Sequence, residues 1–168
     1  MGREKIRLNL LKNRSIEQVG LKETLKSDLT EAIRSSDKVV SGTIRMILTA
    51  ITNEEVSGKE ARVLTDDEIV TVLSREAKKR REAAEAFENG GRADRAAAER
   101  AEGEVIAGYL PEQLSEDDVK KLIAETIAAV GATGPADMGK VMGGLKAKVA
   151  GKADGALVSS LVKEALNK

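Results

Sequence analysis

Residues Met138 to Leu166 read MGKVMGGLKAKVAGKADGALVSSLVKEAL, and this stretch decides how we interpret the chain. Apolar residues recur every three or four positions over 138–149 and again over 158–166, a spacing that predicts two helices. Gly151 predicts the end of the first helix, and Asp154 suits the capping position of the second. Lysines cluster around the turn between them. The stretch therefore predicts a short helix pair with a basic turn.

Three glycines interrupt the first of these helices, Gly139, Gly143 and Gly144. Each costs about 1 kcal/mol relative to alanine in an exposed helix interior. They do not fit the phosphate-loop pattern G-x-x-x-x-G-K-[ST], and no strand precedes them. Their cost predicts that something approaches the helix closely, and either a neighbouring helix or an RNA backbone fits that expectation.

The composition favours helices throughout. Of 168 residues, 41% are hydrophobic but only 1% are aromatic, 33% are charged, and there are two prolines. The β-branched and aromatic runs that build sheets are missing. We predict an all-α fold, in which an N-terminal helical domain of about four helices precedes a small C-terminal domain of three helices.

The chain contains neither cysteine nor histidine. This excludes zinc sites built from thiolate or imidazole, and nucleophiles activated by histidine. We expect no cofactor, no metal and no catalytic residues. The absence of cysteine fits a reducing compartment, so we expect a cytoplasmic protein. No apolar run approaches the roughly 20 residues that span a bilayer, so we expect no membrane partner.

Three segments are predicted. Residues 1–20 show no long apolar period, and we expect an N-terminal extension without a stable fold. Residues 21–109 carry four helical patterns, the third opened by a capping box at Thr65 and Glu68. The fourth places alanines and a valine on one face, namely Ala93, Ala97, Ala101 and Val105. Pro111 restricts the residue before it and marks the boundary to the C-terminal domain, residues 110–168.

Charge is divided unevenly along the C-terminal half. Acids dominate from Glu104 to Asp137, whereas lysines dominate from Met138 onward. The candidate phosphate contacts are Lys140, Lys146, Lys148 and Lys152. No aromatic residue lies among them to stack on bases, so binding would recognise backbone and shape rather than sequence. Solvated surface charge explains these lysines equally well.

A second basic patch occurs in the third helix. It consists of Lys78, Lys79, Arg80 and Arg81. Acids interleave with it, and Glu76 lies four residues before Arg80, a spacing that favours an ion pair. A solvated face with many such pairs is the favoured interpretation, and an RNA-binding patch is the alternative.

Four stretches together resemble one known family. They are LKSDLTEAIRSSDK, TIRMILTAITNEEV, YLPEQLSEDDV and GPADMGKVMGGLKAKVAGKADGALVSSLVKEAL. The chain from Leu21 to Lys168 resembles the YqeY family, also described as GatB/YqeY-domain proteins. This resemblance implies an all-helical protein whose C-terminal part is similar to the tail domain of GatB, the tRNA-binding subunit of the glutamine-dependent tRNA amidotransferase. It implies tRNA or a tRNA-handling enzyme as partner, with the four C-terminal lysines as tRNA contacts.

Members of the family are often labelled as carbon–nitrogen ligases with glutamine as amido-N-donor. In GatB that chemistry belongs to a separate cradle domain, which nothing in this chain resembles. We therefore predict a non-catalytic tRNA-binding or amidotransferase-associated protein. Two alternatives stay open: a protein–protein adaptor, favoured by the alanine-rich fourth helix and the acidic middle segment, and a genuine accessory component of the amidotransferase.

Overall fold

The computed structural model describes residues 19–167, and all regular structure in that range is helical. The predicted all-α fold is confirmed. Residues 1–18 lie outside the described part, so all but the last two residues of the expected N-terminal extension, residues 1–20, are residues that the structure does not describe. The helices are α1 (Leu21–Arg34), α2 (Lys38–Glu55), α3 (Asp66–Asn89), α4 (Ala93–Ala107), α5 (Glu116–Val130), a 3₁₀ turn (Pro135–Asp137), α6 (Met138–Val149) and α7 (Gly155–Leu166).

Helices α1 to α4 form one compact unit that ends at Tyr109. Its core is aliphatic, as the scarcity of aromatic residues predicts. The largest fully buried side chains are Leu25, Ile44, Ile47, Ile51, Ile69, Leu73 and Ile106. Burying one such side chain contributes roughly 1.5–3 kcal/mol, so these residues dominate the stability of the unit.

Local signals set where these helices begin. The Asp37 carboxylate accepts a hydrogen bond from the amide of Val40 at 3.0 Å and starts α2. At α3 the predicted capping box is confirmed, because the Thr65 hydroxyl accepts from the Glu68 amide while the Glu68 carboxylate accepts from the Thr65 amide. These bonds satisfy amides that the first helical turn leaves unpaired.

The face of α4 predicted from its alanines is only partly right, because Ala101 and Val105 are half-buried but its first two members are not. Ala93 and Ala97 are exposed, whereas Ala96 and Ile106 are fully buried at 0% exposure. The reason is that α4 meets α3 partly through charged groups, so apolar spacing alone does not identify the contact face. Arg80 of α3 reaches two glutamates of α4 across this contact, as described below.

Helices α5 to α7 form the second compact unit, from Leu110 onward. A second capping box starts α5, where the Ser115 hydroxyl accepts from the amide of Asp118 at 3.1 Å. Glycine in the left-handed region ends α5 at Gly131, where φ is 64°. The core of this unit is formed by Val119, Ile123, Val141, Leu145, Val158, Leu161, Val162 and Leu166.

The glycines of α6 have two different environments. A Cβ at Gly144 would lie 2.8 Å from Cγ2 of Thr126 on α5, closer than real side chains come. Here the approaching group is the neighbouring helix, one of the two alternatives left open by the sequence. A Cβ at Gly139 or Gly143 would meet nothing within 4 Å, so this side of α6 faces open space.

The two units meet in the sequence between Tyr109 and Leu110, and their assignment as separate domains stays a prediction. Four α-helices precede this point and three follow it within residues 19–167. Across the same range, no helix combines the length and apolar character needed to cross a membrane.

Candidate nucleic-acid interface

Three of the predicted lysines surround the end of α6. Lys146 and Lys148 belong to its last turn, and Lys152 lies in the connection to α7. We call residues 146–152 the lysine turn. Side chains two residues apart in a helix point in directions about 200° apart around its axis. Lys146 and Lys148 therefore lie on opposite sides of α6. A ligand that crosses the end of the helix can therefore reach all three lysines, whereas a ligand lying along one face cannot.

The backbone of the lysine turn is held by hydrogen bonds. The amide of Ala150 donates to the carbonyl of Lys146 at 3.1 Å, and the amide of Lys152 donates to that of Val149 at 2.9 Å. Gly151 between them has a φ of 68°, a left-handed conformation that favours glycine. These contacts reverse the chain within four residues and place Lys152 beside the end of α6.

Side chains, rather than helix dipoles, set the charge of this turn. The end of α6 carries a partial charge of about −0.5 and the start of α7 about +0.5, which nearly cancel. Asp154 follows the turn and caps α7, accepting from the amide of Leu157 at 3.0 Å. One carboxylate thus opposes three ammonium groups, and the turn keeps a positive charge.

None of these three ammonium groups has an ion-pair partner among residues 19–167. The fourth predicted lysine differs, because the Nζ of Lys140 lies 2.9 Å from Oδ1 of Asp137. That carboxylate also accepts from the amide of Thr133 at 3.0 Å. The hydrogen bond from the Thr133 amide is the largest cause that lowers the pKa of Asp137. The hydrogen bond from the Lys140 ammonium lowers this pKa further. Lys140 stands in the first turn of α6, roughly 9 Å along its axis from Lys146.

The second basic patch lies on α3 and faces acids of its own unit. Arg80 is 22% exposed, and its Nη1 lies 3.0 Å from Glu99 and 3.2 Å from Glu102. The Nζ of Lys79 lies 2.7 Å from Glu76, and Lys78 is 4.0 Å from Glu82. Arg81 also has an electrostatic or hydrogen-bonding partner. The patch is thus interleaved with carboxylates, as its favoured interpretation expects, and its role in RNA binding stays a prediction.

The sequence did not predict that residues of the segment before α5 bind the backbone of the lysine turn. The amide of Leu114 donates to the carbonyl of Lys152 at 2.8 Å. The side chain of Gln113 donates to the carbonyl of Gly151 at 2.7 Å. Gln113 lies 38 residues from its partner, and a single glutamine in a connecting segment gives no signal of such a contact. Both residues belong to YLPEQLSEDDV, one of the four stretches that resemble the family. The sequence of this stretch does not indicate that it contacts the lysine turn.

These features define a class: over residues 19–167 the protein is all-helical, its last three helices surround an aliphatic core, and the lysines at one turn have no acidic partner within that range. The chain belongs to the YqeY family, because the family model described as Yqey-like protein matches residues 22–166. The resemblance inferred from the four sequence stretches is confirmed.

Two relatives extend the comparison. Altered inheritance of mitochondria protein 41, mitochondrial, from Pyrenophora tritici-repentis is 29% identical over 143 residues, which cover 83% of this chain and 77% of the relative. Uncharacterized protein C22F3.15 of Schizosaccharomyces pombe is 30% identical over 95 residues, which cover 56% of this chain and 76% of the relative. The first name places that relative in mitochondria.

Proposed function

We propose that this protein binds tRNA through the lysine turn and carries out no catalysis itself. The observation that carries the proposal is the set of three ammonium groups at one turn, none with an acidic partner among the described residues. A lysine in an ion pair is already neutralised by a carboxylate. A lysine without such a partner gains more electrostatic stabilisation when it contacts a phosphate. The resemblance of the C-terminal part to the GatB tail domain selects tRNA among polyanions.

The residue types of the second unit limit how it can bind RNA. Residues 110–168 contain no tyrosine, phenylalanine, tryptophan, histidine or arginine. Aromatic stacking on bases and bidentate arginine contacts are therefore unavailable within this unit. Lysine contacts to phosphates remain, and they carry no sequence information. We expect weak, salt-sensitive binding that distinguishes little between tRNA species.

The direct test is a filter-binding titration with bulk tRNA at low salt, comparing the wild-type protein with a triple variant, Lys146→Ala, Lys148→Ala and Lys152→Ala. We expect the triple variant to bind at least tenfold more weakly, since three phosphate contacts are lost. Equal binding by both proteins would reject the lysine turn as the site.

A charge-matched control separates this site from a general effect of net charge. Three exposed lysines elsewhere, Lys38, Lys59 and Lys121, can be changed to alanine with the same loss of positive charge. This control should keep most of the tRNA affinity. A Lys140→Ala variant measures the fourth lysine, whose pairing with Asp137 predicts a smaller loss than at the lysine turn.

Other assays distinguish the alternatives. A protein partner that is recovered after nuclease treatment, without any tRNA binding, would favour the adaptor role. Glutamine-dependent conversion of a misacylated tRNA that requires this chain would establish an accessory role in the amidotransferase. We propose the cytoplasm as the compartment; the mitochondrial name of one relative supplies the alternative, and cell fractionation decides between them.

A further inference from the structure

The lysine turn is tied to a segment that precedes α5. The Nε2 atom of Gln113 donates two hydrogen bonds, at 2.8 Å to the carbonyl of Pro111 and at 2.7 Å to that of Gly151. The next amide, of Leu114, donates to the carbonyl of Lys152 at 2.8 Å. Two consecutive residues thus bind two consecutive carbonyls of the lysine turn.

The chemistry of these contacts suits glutamine. Both partners of the side chain are carbonyl oxygens, which only accept, so the side chain must supply two donors. The primary amide does this without charge. A glutamate of the same shape would present acceptors alone, and a methionine would present no donor.

We propose that Gln113 is a positioning residue of the lysine turn, which fixes the backbone that carries Lys152 before RNA arrives. This inference rests on the proposed tRNA-binding function. A turn that is ordered in advance avoids the entropy cost of ordering a loop on binding, and it holds the three lysines around the end of α6 together. The ligand that this arrangement suits is a phosphate backbone, because three ammonium groups in fixed positions can contact several phosphates at the same time.

The test replaces Gln113 by methionine, which keeps the length and charge of the side chain but removes both donors. Gln113 is exposed, so the variant should fold, which a thermal unfolding curve checks. We expect its Kd for bulk tRNA at low salt to rise about fivefold, because the turn must now be ordered on binding. We also expect faster amide exchange at Leu114, whose partner is the Lys152 carbonyl.

A matched control and a second background sharpen the result. Ser160→Met adds the same side chain at an exposed position of α7 and should leave Kd unchanged. In the triple-alanine background of the lysine turn, Gln113→Met should have no further effect, because a positioning residue acts only through the groups it positions.

The outcomes separate this inference from the function beneath it. If the wild-type protein binds no tRNA, the proposed function fails and the positioning role fails with it. If the wild-type protein binds and Gln113→Met leaves Kd or the Leu114 exchange rate unaltered, only the positioning role is overturned. An equal loss of affinity in both backgrounds overturns it too, since Gln113 would then act independently of the lysines.

Discussion

The neighbouring glycines Gly143 and Gly144 should respond in opposite directions to the same change. Both lie inside α6, so alanine at either position gains about 1 kcal/mol of helix propensity. At Gly143 the added Cβ meets nothing within 4 Å, and the gain is realised in full. At Gly144 the added Cβ would lie 2.8 Å from Cγ2 of Thr126, whereas carbon atoms in contact lie about 3.5–4.0 Å apart.

Thr126 has little freedom to give way. It is 2% exposed, and its hydroxyl donates to the carbonyl of Leu122 at 2.7 Å, so rotating the side chain would break that bond. Overpacking of this kind costs about 1–3 kcal/mol. Subtracting the propensity gain, we expect Gly144→Ala to destabilise the protein by about 1 kcal/mol and Gly143→Ala to stabilise it by about 1 kcal/mol.

Urea unfolding followed by circular dichroism measures both variants, and amide exchange in α6 assigns the change to the second unit. A rescue isolates the cause: Thr126→Ser removes Cγ2 but keeps the hydroxyl, so in that background Gly144→Ala should become stabilising. If Gly144→Ala stabilises as much as Gly143→Ala, or if the serine background gives no rescue, the close approach of α5 and α6 is wrong.

Two further predictions concern partly buried polar contacts of the first unit. Asp28→Ala removes the acceptor of the Tyr109 hydroxyl at 2.7 Å and should cost about 1–3 kcal/mol in urea unfolding at pH 7. Asp28→Asn should cost less, because it keeps an acceptor and removes a charge that burial disfavours, as the raised pKa of Asp28 indicates; equal costs would contradict this. The hydrogen bond from Lys22 lowers the pKa of Glu55 in the folded protein below its usual 4.5. The stability that this carboxylate contributes is therefore fully present above pH 4.5, and it is lost as the pH falls through the lower pKa of the folded state. The difference in unfolding free energy between wild type and Glu55→Gln should shrink over that acidic range, and a difference that is constant from pH 7 to pH 3 would refute it.

Much of the fold could be predicted because its signals are local. Capping boxes at Thr65 and Ser115 and the glycine at Gly151 act within one helical turn, and their structure follows from a few adjacent residues. The buried face of α4 could not be predicted in the same way. Its contact with α3 depends on Arg80, whose charge partners lie in another helix.

The candidate site was predictable as a group of residues but not as an arrangement. Sequence grouped Lys140 with the later lysines, and only the structure shows that Asp137 pairs with it at the opposite end of α6. The role of Gln113 depends on a contact across 38 residues, which no local pattern encodes. Tertiary contacts of this kind decide which charges stay unpaired, and therefore which lysines are available to a ligand.

The salt dependence of tRNA binding tests the central claim most directly. Each lysine–phosphate contact contributes roughly −0.7 to −0.9 to the slope of log K against log salt concentration. Three contacts predict a slope of about −2 to −3 for the wild-type protein, and the triple alanine variant of the lysine turn should lose most of it, keeping only the small contribution of Lys140. A wild-type slope that this variant leaves unchanged would contradict the assignment of the lysine turn as the tRNA-binding site.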